Sequence, residues 1–241
     1  TYLPEKTISY TYTPDGLVSQ MLDRNGVTTD YSYDKFRRPV ETKAGDLTIK
    51  NTYDKLGQKI KMEDGTGKTS RSYDALGRVI LKSTPEAGSV IFQYDLNKVP
   101  ETIVGETVTY RKLLPGYVAE KILDSKGNET YKIYDTNSRL VEVLDIGNTA
   151  IKTIDKTLYS YEANGNKASV TYSSGVKEVY TYYNNNKMHT LTNKKADETI
   201  IDSYEHVYDN GGNLASKTEL LNFDNTSNLK SRVTSYKYDK L

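Results

Sequence analysis

The sequence predicts an all-β fold built from tandem hairpins, and three observations lead there. A Tyr-Asp-x-x-Gly word recurs at a short period, strand-like alternation flanks each copy, and helix-period stretches are absent. The word reads YTPDG at Tyr12, YDKFR at Tyr33, YDKLG at Tyr53, YDALG at Tyr73, YDLNK at Tyr94 and YDTNS at Tyr134. It continues as YEANG at Tyr161, YYNNN at Tyr182, YDNGG at Tyr208 and a shortened YDKL at Tyr238. The intervals are 21, 20, 20, 21, 40, 27, 21, 26 and 30 residues. The interval of 40 is read as two periods around a degenerate unit near Tyr110 to Tyr117, and the later long intervals as extended loops.

Each part of the unit has a physical reason. Before the anchor, Tyr10, Tyr31, Phe92, Tyr159, Tyr180 and Tyr236 stand two residues upstream, on the same strand face. After the turn, positions seven and nine beyond the anchor carry apolar or small pairs: Ile60 with Met62, Val141 with Val143, Ala168 with Val170. The second letter is Asp34, Asp54, Asp74, Asp95, Asp135, Asp209 or Asp239, whose carboxylate can accept from backbone N–H groups two residues on and fix a turn. The closing residue is Gly16, Gly57, Gly77, Gly165 or Gly212, with Asn186 as the next-best residue for positive φ. The anchor rings Tyr12, Tyr33, Tyr53, Tyr73, Tyr94, Tyr134, Tyr161, Tyr182, Tyr208 and Tyr238 are expected to stack on one another as a ladder. One such unit cannot bury its apolar face alone, so neighbours share the stability; residues 1–241 read as one array of about ten to eleven repeats.

Composition narrows the function classes. Lys plus Arg total 33 against 32 Asp plus Glu, a balance that disfavours nucleic acid as a partner. Twenty-two tyrosines against three phenylalanines and no tryptophan imply a thin, partly wet core. Without cysteine there is no disulfide, thiolate metal site or cysteine nucleophile. No apolar run reaches the roughly 18 residues of a membrane-spanning helix.

Chemistry-bearing residues are few. His189 and His206 stand at strand-like positions without a second histidine at ligand spacing, so packing explains them better than catalysis or metal binding. The repeated aspartates differ from calcium β-rolls, which use a nine-residue glycine-rich word. GTGKTS at Gly65 to Ser70 has the wrong spacing for a phosphate loop and precedes a strand. No catalytic, cofactor or metal residue is assigned, and no cofactor is expected. Exposed tyrosines beside Asn and Asp leave carbohydrate or cell-wall binding as a rival reading, and two units per blade would allow a six-bladed propeller.

The words YDKLGQKI and YDALGRVI, recurring near 20 residues after Tyr-x-Tyr or a similar pair, resemble the YD repeats of the Rhs family. That family includes bacterial wall-associated and polymorphic-toxin proteins, Tc toxin shell subunits and animal teneurins. The resemblance covers residues 8 to 241. It implies a curved, coiled β-sheet ribbon forming part of a hollow shell, which in bacterial members encloses a C-terminal toxin domain. It also implies that the chain is an internal fragment with no enzymatic activity. Its partners would be the remaining repeats and the toxin domain of the parent, surface glycans under the rival reading, and another copy meeting it edge to edge. The excess of Lys over Arg and the many Asn residues resemble a low-GC Gram-positive bacterium, hence a secreted or wall-associated protein.

Overall fold

The computed structural model describes residues 7–221 and 229–239, and among these it contains 21 strands and no helix. The chain divides into two compact units, residues 1–93 with 122–127, and residues 94–121 with 128–241.

The first unit is an antiparallel meander. Its strands are β1 (Ser9–Tyr12), β2 (Val18–Leu22), β3 (Thr28–Tyr33), β4 (Pro39–Ala44), β5 (Leu47–Tyr53), β6 (Lys59–Asp64), β7 (Gly67–Tyr73), β8 (Val79–Thr84) and β9 (Gly88–Leu96), whose last residues pass into the second unit. Each pairs with the next. Among its described residues no apolar side chain is fully buried, and the alternation of half-buried and exposed positions is that of a thin sheet. Cross-strand pairs and turns therefore carry much of its stability.

The second unit holds β10 (Lys98–Val104), β11 (Thr107–Lys112), β12 (Val118–Leu123, running across the unit boundary), β13 (Glu129–Tyr134), β14 (Leu140–Ile146), β15 (Ile154–Tyr161) and β16 (Lys167–Thr171). It continues with β17 (Lys177–Tyr182), β18 (Met188–Lys194), β19 (Ile200–Tyr208), β20 (Leu214–Leu221) and β21 (Lys230–Ser235). From β13 to β21 every strand pairs antiparallel with the next. β10 and β11 form a separate hairpin. Here the chain has a true core: Val99, Ala119, Tyr131, Ile133, Leu144 and Ile146 are buried together, with Ile103 and Leu113 packed against them. Val99 and Ile103 belong to the extra hairpin, which makes this region two layers thick.

That hairpin corrects several expectations. In β14 the buried positions are Glu142, Leu144 and Ile146, so Val141 and Val143 lie on the other, half-buried face. The extra layer covers the face the repeat normally leaves wetter. Tyr94 and Asp95 are not a turn anchor, because both lie inside β9 and Asp95 itself takes φ 58°. Their word places its left-handed residue at the second letter, Asp95, and not at the fifth, Lys98, and the chain leaves into β10 instead of reversing. The 40-residue interval holds this excursion together with a turn at LLPGY, where Tyr117 N–H donates to the Leu114 carbonyl at 3.0 Å. Between Tyr182 and Tyr208 the extra residues lengthen β18 and β19 to seven and nine residues instead of forming a loop. Residues 147–153, between β14 and β15, do form the expected loop. The connection expected before Tyr238 falls largely on residues 222–228, outside the described residues.

Candidate functional site

The repeated feature is the turn, and its bonds follow from residues at fixed offsets. In the word at Tyr73, Asp74 Oδ1 accepts from Leu76 N and Arg78 N, both at 2.9 Å. The backbone closes the same loop twice, Asp74 N–H to the Arg78 carbonyl and Gly77 N–H to the Asp74 carbonyl. Asp34, Asp54 and Asp135 repeat both carboxylate bonds at 2.9 to 3.0 Å. Thr13 substitutes its hydroxyl, which accepts from Leu17 N at 2.9 Å. Asp209 accepts from Asn213 N at 2.8 Å.

The ladder register slips at Tyr12, Tyr33, Tyr53, Tyr73, Tyr134, Tyr161, Tyr182 and Tyr208, each facing the residue six positions later. This is a turn closed by a bulge, and the bulge needs one left-handed residue. Gly77 supplies it at φ 81°; Arg37, Ser138 and Asn186 adopt it at 67°, 59° and 64°. Asp23 builds the same turn without a tyrosine, accepting from Asn25 N and Val27 N.

Two further contacts recur between neighbouring units. The hydroxyl of an anchor donates to the carbonyl six residues after the preceding anchor. Tyr33 reaches Val18 at 2.8 Å, Tyr53 reaches Pro39 at 3.0 Å, and Tyr73 reaches Lys59 at 2.8 Å. Tyr161 reaches Leu140 at 2.7 Å, Tyr182 reaches Lys167 at 2.9 Å, and Tyr238 reaches Leu214 at 3.1 Å. Tyr134, which follows the degenerate unit, meets Glu120 Oε2 at 3.4 Å instead.

The second contact uses position five after the anchor. Arg38, Arg78 and Arg139 each donate Nε to Oδ2 of their own turn aspartate at 2.7 to 2.8 Å. Arg38 then lies 4.6 Å from the centroid of the Tyr53 ring, and Arg139 lies 4.9 Å from that of Tyr161. Lys187 covers Tyr208 at 4.9 Å in the same way. The expected ladder of directly stacked rings is therefore replaced, at these places, by ring, cation and turn in sequence. Successive anchors stand two strands apart, roughly 9 to 10 Å, and direct ring contact needs roughly 4.5 to 7 Å.

Those arginines hold the Asp34, Asp74 and Asp135 carboxyls below the usual range, chiefly by their side-chain hydrogen bonds. A carboxyl depressed in the folded state contributes stability that is complete above the unfolded value, about 4, and is lost as pH falls through the folded one. The urea midpoint is accordingly expected to drop as pH is lowered from about 5 to about 2. Asp74→Asn should flatten that slope relative to wild type, and an unchanged slope would remove Asp74 from the acid-sensitive set.

One repeat departs from the others. At YYNNN the capping position holds Tyr183, and the turn still closes, with Tyr183 N–H donating to the Lys187 carbonyl and Asn186 N–H to that of Tyr183. Asn185 Oδ1 takes over part of the aspartate's work by accepting from Lys187 N at 3.1 Å. The Tyr183 ring packs 4.4 Å from His189, tilted by 38°, and meets Tyr208 edge-on at 6.0 Å. Its hydroxyl donates to the His206 carbonyl at 2.9 Å. Around it opens a cavity of about 620 Å³ lined by Tyr182, Tyr183, Asn184, Asn185, His189, Val207, Tyr208 and Asp209. His189 is thus on a cavity wall, while His206 is not a lining residue and keeps its Nδ1 buried without a hydrogen bond. Among the described residues no three His, Cys, Asp or Glu side chains gather as a metal would require.

No protein-family model and no curated protein sequence matches the chain. Solved structures do match over most of its length. The chain is similar to Tc toxin chains. Against TcdB2-TccC3 without its hypervariable C-terminal region it covers 96% of its own length at 15% identity, with a TM-score of 0.45. Against TcdB2-TccC3-TEV the coverage and identity are the same and the TM-score is 0.43. Against the Photorhabdus luminescens Tc holotoxin pore it covers 88% at 16% identity, with a TM-score of 0.38. The chain spans 14 to 15% of the length of those chains.

Proposed function

We propose that the chain is a non-enzymatic wall segment, part of the YD-repeat shell of a secreted or wall-associated bacterial protein that encloses or presents a C-terminal toxin. The observation that carries this reading is the hydroxyl-to-carbonyl bond from each of six anchors to the unit before it. A bond that recurs at one fixed offset from unit to preceding unit lets a ribbon lengthen without new chemistry. The turn carboxylates are occupied by backbone and guanidinium donors, which is structural use of groups that catalysis would need free. The resemblance of the words YDKLGQKI and YDALGRVI to Rhs repeats supplies the enclosed toxin domain as the further partner.

Limited proteolysis of the full-length parent tests the proposal. The C-terminal domain should resist cleavage in the intact protein and become sensitive when the repeat region is unfolded or nicked. A C-terminal domain cut as fast in the intact parent as in isolation would overturn it.

A further inference from the structure

We propose that the first unit carries a docking surface for a second copy of this chain, in which the apolar, basic turn edge of one copy seats on the acidic turn edge of another. The wall reading neither requires this contact nor depends on it. In an antiparallel meander the turns fall alternately on two edges. The tyrosine words at residues 34–38, 54–58 and 74–78 close one edge of the first unit, and the connections at 44–47, 64–67 and 84–88 close the other. At the third place after the anchor the first edge carries Phe36, Leu56 and Leu76, which are 65%, 82% and 75% exposed. Six of the other words have Asp15, Asn97, Asn137, Asn164, Asn185 or Gly211 there.

A large apolar side chain at that place does nothing for its own turn. Asn164 and Asn185 use their side-chain oxygens to accept from the backbone N–H two residues on, whereas Leu56 and Leu76 give the turn only their own backbone N–H. Single exposed apolar residues are ordinary on a protein surface, but three in one row form a patch. Successive tips stand two strands apart, roughly 9 to 10 Å, so the row is about 20 Å long. Exposed Lys35 and Lys55 flank it. The turn aspartates do not offset these charges at the tips, because Asp34, Asp54 and Asp74 fold back onto backbone N–H groups, and Asp34 and Asp74 also hold Arg38 and Arg78.

The opposite edge is the complement of this one. The three turns of the first edge hold five basic residues and three acidic ones, while the three connections of the second hold Asp46, Asp64 and Glu86 and no basic residue. Asp46 and Glu86 are exposed and have no side-chain partner among the described residues. Leu47, 51% exposed, gives that edge an apolar contact of its own. Both rows repeat every two strands, so a copy displaced along the strand direction meets them in register, apolar tips on Leu47 and lysines on carboxylates. Because the two patches differ, the contact is heterologous, and copies add one after another instead of stopping at a pair. An anionic bilayer would match the first edge alone and leave the acidic edge unanswered.

Analytical ultracentrifugation of this chain reads the contact. Association that grows with protein concentration and weakens as salt rises from about 0.05 to about 0.5 M is expected. Lys35→Glu with Lys55→Glu on the first edge should weaken it at least tenfold, and so should Asp46→Lys with Glu86→Lys on the second. Leu56→Ser with Leu76→Ser should weaken it severalfold. The turn bonds at Leu56 and Leu76 are made by the backbone, so circular dichroism and the thermal midpoint should stay as in wild type. An equimolar mixture of the two charge-reversed proteins should associate again, because each edge of one then faces its opposite on the other. A chain that stays monomeric at every concentration would overturn the proposal, as would variants that associate like wild type or a mixture that stays apart. Sedimentation of a monomeric chain with phosphatidylserine vesicles would overturn it too, and would give the apolar row to a bilayer.

Discussion

Truncating Leu144 to alanine is expected to destabilise the second unit by about 3 kcal/mol, the middle of the range for a large-to-small change in a packed interior. Leu144 is 1% exposed and lies in the cluster of Val99, Ala119, Tyr131, Ile133 and Ile146, so the lost methyl groups leave a void that neighbours on four strands cannot close. The same kind of change in the first unit should do much less. Ile80 on β8 is 36% exposed, and Ile80→Ala should cost about 1 kcal/mol or less. Urea denaturation followed by tyrosine fluorescence and circular dichroism measures both. Equal losses at the two sites would show that the extra hairpin does not make a separate core.

The contrast also explains how far the sequence could be read. The turn was legible because all its parts lie within five residues: Asp74, the N–H groups of Leu76 and Arg78, and the left-handed Gly77. Local chemistry at fixed offsets survives without knowledge of the fold. The role of Arg38 and Arg139 was not legible, although position five holds Arg38, Gln58, Arg78, Arg139, Asn166, Lys187 and Asn213, hydrogen-bond donors in seven of the nine words that reach it, with Leu17 and Val99 the exceptions. That regularity was the available signal. Its meaning depends on the bulge, which sets the register that brings the guanidinium over the next ring. The tyrosine hydroxyl bond was hidden for the same reason, since Tyr73 and Lys59 are 14 residues apart and meet only once that register is fixed.

Where the period breaks, reading failed in a different way. Tyr94 and Asp95 match the first two letters of the word, yet the left-handed residue is Asp95 and not the fifth letter, the chain enters β10, and the core that results appears at no fixed offset. The alternation of Tyr131 with Ile133, and of Leu144 with Ile146, marks that face, but Glu142 interrupts it and reads as solvent-facing. The cavity at Tyr183 was visible only as an irregular word, YYNNN. Its ring contacts with His189 and Tyr208 come from three different strand ends brought together by pairing of β17, β18 and β19.

Glu142 gives the second large expected effect. It is buried at 8% exposure on the core face of β14, opposite Ile133, and its carboxylate is paired with Arg111 of β11 and approached by Lys156 at 3.4 Å. The pair pins the extra hairpin to the sheet. Arg111→Ala would remove the guanidinium and leave a carboxylate in a poorly solvated place with only a half-exposed lysine as counter-charge. Breaking such a pair from one side costs about 3 to 5 kcal/mol, and the lysine and partial exposure of Arg111 place the expectation near the lower end, about 3 kcal/mol. Removing both charges should be milder, because the penalty comes mainly from the orphaned carboxylate and not from loss of the attraction. Arg111→Ala combined with Glu142→Leu is therefore expected to be more stable than Arg111→Ala alone, which a double-mutant cycle in urea reads directly. A double variant no more stable than the single would mean that Arg111 holds the hairpin through packing of its stem, with the charge pair contributing little.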